Sequence, residues 1–586
     1  MSKRSRPGRG RNQRRAKAGG SRPRPVPGDL LHRYVTPEEA FGSFPGVSEP
    51  LLWLQKADQE TLLREVAFWV SKFDQAGLSG WKKIERDWVS ETILDPHRSR
   101  LLGLLHGDRT LVSTQSLLIA AKRALTVGRS SAETDMRPLF MAAVSLQGGL
   151  GTERDSDTSA ETRRLRLLTE IIRNQEFHRR PHHGMRIAQS QIRWRDIPGR
   201  EDVHLPVAPT ESFEQVTGVP LLDLEAAGFY LFAEASEHPG GTPTVAAMAG
   251  TIHWERDRLE RVLGLIASSI EDLAASIRSD EQAHDEQWTF DSMRRFPVLR
   301  LHGDRILVLS PHLVLERTFG WLPFFDMTMP DGASRAVQAI ATRAKGAFRT
   351  VCEREVIETL AANVARGRKR GRLFNGDALR AAYPTGQIAD AAIAYRDEWV
   401  VVEVSSGQLQ RDTVVGGVAT ALEADLERLI DDKVDQIEST IAHIRADPDR
   451  LTGDGVRRRR FVPVLVIAEG VPLNPLTHIT VMKRLADAGR LAGVDVENLH
   501  ILDTEDLYVA EGVVETDRLG LNEMLDQHRH AGLMRRVDFR SWLAMAGRAK
   551  IARPERLRPS IDIAMDLITD NLGMDRNDAE VSDRRE

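Results

Sequence analysis

Residues 387–405 read QIADAAIAYRDEWVVVEVS. Two apolar runs, Gln387–Tyr395 and Trp399–Ser405, flank the polar triplet Arg396, Asp397 and Glu398. The pattern predicts a β-hairpin whose strands are apolar on both faces, as expected of a buried sheet. If Arg396 and Asp397 form a two-residue turn, Asp390 faces Glu403 directly; a three-residue loop leaves them diagonal neighbours. Side chains paired across strands sit about 4.5–5.5 Å apart at Cβ. Two carboxylates that close repel each other and are costly to bury unless a cation accompanies them.

Working outward, Ser334 to Val364 is predicted as one helix, with Phe348, Cys352, Val356 and Leu360 four apart on one face. A basic loop, Arg366–Arg372, a short strand, Arg372–Phe374, and a turn, Asn375–Asp377, separate it from the hairpin. Beyond Gly416 and Gly417, a long helix from Ala419 to Arg445 carries Leu422, Leu426, Leu429, Ile437, Ile441 and Ile444 on its apolar face. Lys433 lies in that stripe, four residues from both Leu429 and Ile437, with Gln436 beside it. A lysine so placed either snorkels to the surface or points at buried charge. The basic run Arg457–Arg460, the strand Phe461–Ala468, a helix at 475–491 and a strand Asn498–Leu502 follow.

The order helix, strand, strand, strand, helix, strand, with Asp390 and Glu403, resembles the core of the PD-(D/E)xK nuclease superfamily, the restriction-endonuclease-like fold. The resemblance covers about 200 residues, 332–530. It is carried by Ile388–Asp390, the hairpin, Val400–Val404, the helix bearing Lys433 and Gln436, and the acidic-apolar segment Leu502–Leu507. It implies an α/β fold, a mixed sheet flanked by helices, and metal-dependent phosphodiester cleavage. Asp390 and Glu403 would hold Mg²⁺ or Mn²⁺, which activates a water. Glu353 or Glu355 on the first helix would support the metal. The family's lysine two residues after the glutamate is replaced here by Ser405. Lys433 reaching back from the helix, a weak substitution by Gln408, or a dead site each accounts for that departure. The expected partner is nucleic acid, DNA rather than RNA, with phosphate contacts from Arg366, Arg368, Lys369, Arg370, Arg372, Arg457 and Arg458. The alternative is a catalytically inactive nuclease fold that binds nucleic acid or serves as a scaffold.

The 586-residue chain suggests two to four domains. Residues 1–28 carry ten Lys/Arg and no Asp/Glu, and too few apolar groups to fold; they read as a disordered basic tail. Removing that +10 from the formal −4 leaves −14 for residues 29–586, so any nucleic-acid surface on the body must be a local patch. Residues 29–331 read as mainly helical and hold eight of the ten tryptophans, enough for a real core and a protein-partner surface. The region includes helical patterns at Leu62–Val70 and Leu117–Leu125, a polar loop at 151–165 and a short helix at 164–174. One continuous stripe runs over 254–278, and a hairpin with a Gly-Asp turn over Phe296–Ser310. The string HGDRxLV occurs at both 106–112 and 302–308, read as two similar hairpin turns. Three histidines within 178–183 read as an exposed basic loop rather than a metal site. Residues 531–586 read as a helical extension with a polar end.

The single cysteine, Cys352, excludes an intramolecular disulfide and a cysteine-based zinc site. No apolar run approaches the ~20 residues a membrane span requires. Together these point to a cytoplasmic protein with no membrane association.

Overall fold

The computed structural model describes residues 33–35, 37–41, 58–95, 97–105, 109–127, 183–283, 290–329, 332–407, 419–456, 460–469, 475–548 and 553–574, with isolated positions between them. The expected basic tail, the loop at 151–165, the helix at 164–174, most of the histidine stretch, Gln408, Arg457 and the polar end from 575 lie outside the described residues. No single helix among those described is long and apolar enough to cross a membrane.

The architecture is mixed α/β, with a three-stranded and a five-stranded sheet among many helices. In the first half, helices α1 (Gln59–Thr92) and α2 (Thr114–Val127) enclose a core containing Trp88, Phe73 and Leu117. Strand β1 (Arg33–Tyr34) pairs in parallel with β2 (Arg109–Thr110). The first HGDRxLV copy therefore supplies a strand to a parallel pair rather than a hairpin. The second is a hairpin, β4 (Val298–Leu301) and β5 (Arg305–Val308), turning through Gly303 and Asp304 at positive φ. Such a turn matches the strands' own twist.

The stripe expected to form one helix over 254–278 is broken. It forms α5 (Arg256–Ile266) and α6 (Ile270–Ala283), separated by β3 (Ala267–Ser269), which adds in parallel to β4. Leu259, Val262 and Leu263 enter one core, while Leu273 and Ile277 enter another. Sheet pairing outweighs helical periodicity over those three residues, because one straight rod cannot serve two separate cores.

After α7 (Pro311–Phe319), the long helix α8 (Arg335–Arg366) starts at Ser334, whose side chain accepts from Val337 N. Its expected apolar face is buried but divided. Phe348 and Cys352 pack with the first half, and Val356 and Leu360 pack on the five-stranded sheet. The domain boundary expected near 332 is thus not a boundary between cores. That sheet runs in the order β10 (His500–Asp503), β9 (Arg460–Ile467), β8 (Glu398–Ser405), β7 (Ala391–Ala394), β6 (Arg372–Asn375). The first three are mutually parallel and the last two close an antiparallel meander.

Alternation splits each strand between two cores. Val400, Val402 and Val404 face α8, α12 (Thr504–Asp517) and α13 (Leu521–Arg529). Trp399 and Val401 face α9 (Ala419–Leu426), α10 (Asp432–Ala446) and α11 (Pro475–Asp487). A π-helical turn, Glu427–Asp431, joins α9 to α10. Asn375, expected in a plain turn, caps the helix Gly376–Ala382 by accepting from Ala378 N.

The C-terminal extension folds back. Helix α14 (Arg558–Leu572) packs on α3 (His183–Gln191) and α4 (Leu221–Glu237), placing Ala564, Ile568 and Leu572 in the first half's core. Trp254 Nε1 donates to Asn571 O at 2.7 Å.

Candidate active site at the open end of the hairpin

The hairpin turn has two residues. Tyr395 N donates to Glu398 O at 2.9 Å. The register sets Ala391 against Val402 and Ala394 against Trp399, so Asp390 falls opposite Glu403 at the next position. Both lie on the α10 side of the sheet. Lys433, projecting from the second residue of α10, donates to Glu403 Oε1 at 2.7 Å. Gln436, one turn further along, presents its amide to the same carboxylate. With its nitrogen turned inward, it donates to Oε1 at 2.6 Å and Oε2 at 3.1 Å. The four expected residues Asp390, Glu403, Lys433 and Gln436 therefore meet.

Glu403 is 1% exposed. Burial pushes its carboxyl up to about 8; the Asp390 charge adds to the push, and Lys433 opposes it. Asp390 is half-buried and accepts from Val404 N at 2.9 Å. Its carboxyl is also raised, first by burial, with Val404 N–H opposing, Glu353 adding, and Lys433 and Arg349 opposing. Both carboxyls are thus held above their usual range despite a lysine in contact, which is the electrostatic condition a divalent cation would relieve.

The two glutamates on α8 divide. Glu353 is half-buried, bonded to Arg349 Nε at 3.0 Å, and its charge reaches Asp390. Glu355 lies elsewhere. It is buried, accepts from Arg193 Nε at 2.6 Å and from the Tyr508 hydroxyl, and bridges α8 to α12 and to residues 192–196. Its carboxylate is thus taken up by partners other than those of the acidic pair. Ser405 stands two residues after Glu403, at the end of β8. Its Oγ accepts from Gly407 N at 3.3 Å, so it closes the strand end.

The basic runs are corrected by topology. Arg366 ends α8, Arg372 begins β6, and Arg460 begins β9 opposite Glu398. All lie at the turn end of the hairpin. Glu403 is five residues along β8 from Glu398, roughly 17 Å away at ~3.3 Å per residue. Arg366 pairs with Glu511 and Glu515, and Lys369 Nζ lies 3.7 Å from Glu523. Arg372 lies over Phe374, its Nη1 donating to Thr452 O at 3.4 Å. Arg458 is buried over Trp399 and paired with Asp454. Arg368 and Arg370 stay exposed at that far end. Proximity in sequence did not become proximity to the acidic pair.

The acidic stretch Leu502–Leu507 is likewise structural. Asp503 caps α12 by accepting from Asp506 N at 2.7 Å, and Arg540 pairs with Asp503, Glu505 and Asp506. One participant was missed in the sequence. Arg349 stands one turn before Glu353, a spacing that could have signalled it.

Among the described residues no three His, Cys, Asp or Glu side chains gather as a metal cage. Two carboxylates still suit Mg²⁺, which keeps several waters and takes one or two protein carboxylates. No known family profile matches the chain. No characterised protein matches it either.

Proposed function

We propose that this chain hydrolyses phosphodiester bonds in nucleic acid, DNA in preference to RNA, with Mg²⁺ or Mn²⁺ held by Asp390 and Glu403. The observation that carries the reading is the convergence of Lys433 on Glu403, itself opposite Asp390. A lysine lost from the strand is replaced there by one from the helix. The metal would supply Lewis acidity and a water of lowered pKa. Lys433 provides a cation to orient that water or to steady charge developing on the phosphate. Gln436 holds the Glu403 carboxylate in one orientation, and the Val404 N–H does the same for Asp390.

The test is cleavage of plasmid and single-stranded DNA with Mg²⁺ or Mn²⁺, comparing wild type with Glu403→Ala and Lys433→Ala. Activity lost in both variants, with folding intact, supports the reading. Wild type that neither cleaves nor binds either metal overturns it.

A second reading has its own observation. Lys433 and Gln436 together already satisfy Glu403 without metal, as expected of a nuclease fold kept as a scaffold. Absent metal binding, with nucleic-acid or protein association retained, favours that reading.

A further inference from the structure

The face of α8 that leads to the acidic pair carries cations, of which only Arg349 has an ion-pair partner among the described residues, Glu353. Between Arg335 and Cys352 the helix has four cations (Arg335, Arg343, Lys345 and Arg349) and no Asp or Glu. At ~100° per residue, Arg335, Lys345, Arg349 and Glu353 fall within about 80° of arc. The three cations of that ridge are exposed, while the opposite face buries Ala344, Phe348 and Val351.

Local energetics do not explain the pattern. The first turns of a helix favour acidic side chains by about 0.3–1 kcal/mol each, and here they carry none. The later turns mix signs and tie them into pairs such as Arg354 with Glu358. Arg335, Arg343 and Lys345 have no ion-pair partner among the described residues. The body around them is net acidic, so the one-sign ridge is a local exception. From Arg335 to Arg349 it runs roughly 21 Å at 1.5 Å per residue. That is about six phosphates of one duplex strand at ~3.4 Å axial spacing. Its inner end is Arg349, bonded to Glu353 and close enough to act on Asp390.

We infer that the ridge Arg335–Lys345–Arg349 is the track on which the phosphate backbone of a nucleic acid lies as it enters the acidic site. The assignment rests on the nuclease reading of that site, which selects nucleic acid over an acidic protein as the occupant. It also replaces the two basic runs at the far end of the sheet.

The experiment is fluorescence anisotropy of a short labelled duplex with the full chain in EDTA, titrated with KCl. Wild type is compared with the double variant Arg335→Gln and Lys345→Gln. Glutamine keeps the helix propensity of both positions, and the cations of residues 1–28 are common to both proteins. The expected result is a salt-dependence slope shallower by about 1.8, from ~0.9 per lost phosphate contact. Arg368→Gln with Arg370→Gln leaves the slope unchanged. A slope unaltered in the ridge variant, or no duplex binding by wild type, overturns the inference. Polyglutamate bound as tightly as duplex, with the same loss, overturns it in favour of an acidic protein partner. No metal is present, so a protein that fails to cleave can still pass this test. Cleavage with ridge-independent binding removes the ridge alone.

Discussion

Lys433 Nζ lies 2.7 Å from Glu403 Oε1, although the two residues are thirty positions apart and come from a helix and a strand. The contact is specific in geometry, because Glu403 is reached from one side of the sheet only. Lys433→Ala is expected to lower cleavage by about 10²-fold or more, as loss of a group stabilising developing charge does. Lys433→Arg recovers only part, since a guanidinium cannot take the ammonium's position. Single-turnover rates at saturating Mg²⁺ check this, with circular dichroism as the folding control.

Glu403 predicts a dependence of stability on pH. Its folded carboxyl is raised from 4.5 to about 8, so the folded protein binds more protons than the unfolded chain between those values. This carboxyl's contribution to stability is full below about 4.5 and is lost as pH rises through 8. Between pH 6 and 9 in EDTA the loss is about 2–3 kcal/mol at 1.36 kcal/mol per unit. Urea unfolding at the two pH values measures it. Glu403→Gln flattens the difference, and Mg²⁺ reduces it by favouring the charged form. A wild type as stable at pH 9 as at pH 6 would contradict the placement of this carboxyl.

Glu353 and Glu355 separate site from scaffold. Glu355→Ala leaves Arg193 buried without its carboxylate and is expected to cost about 3–5 kcal/mol, with little change in the Mg²⁺ affinity of the protein that folds. Glu353→Gln is expected to do the reverse, weakening metal binding several-fold with less than about 1 kcal/mol lost. Thermal melts and isothermal titration with Mn²⁺ distinguish the two.

Acid sensitivity is expected where α11, β10 and α13 meet. The rings of His500 and His528 lie tilted to one another with centroids 5.7 Å apart, and His528 is buried between Phe539 and Trp542, where main-chain groups of Val537 and Met534 only partly offset the cost of charging it. Burial pushes His500 down to about 3 and both His478 and His528 down to about 4; neighbouring histidines add to each shift except that of His478, where Arg535 and Arg536 do so. These groups are neutral in the fold and gain protons more readily when it opens. Their contribution is present above about 6.5 and is lost as pH falls toward 4. His528→Phe, packed between Phe539 and Trp542, is expected to raise the melting temperature at pH 5 more than at pH 7.5. Equal shifts at both pH values would reject this.

Much of the site was legible because strand pairing obeys arithmetic. The turn at Arg396 and Asp397 sets every partner to a common sum, and Asp390 then meets Glu403. Lys433 was legible as a charge inside an apolar stripe. What could not be read was three-dimensional ordering. Arg366–Arg372 adjoin the hairpin in sequence, yet strand direction carries them to its turn. Glu355 and Glu353 are two residues apart, so helix geometry points them to different neighbours. The break at Ala267–Ser269 was hidden because the periodicity of 254–278 persists across it. Only the competing demand of two cores stops the helix.

The return of α14 to the first half has a consequence for synthesis. Trp254 and Asn571, which hydrogen-bond in the finished protein, leave the ribosome 317 residues apart. At roughly 5–20 residues per second, that separation lasts about 16–60 s. During this interval the surface of α4 that Ile568 and Leu572 will cover is open to water. The nascent chain therefore carries an unsealed apolar seam through most of its translation. Chaperone dependence should concentrate in that window and end once residue 572 has emerged.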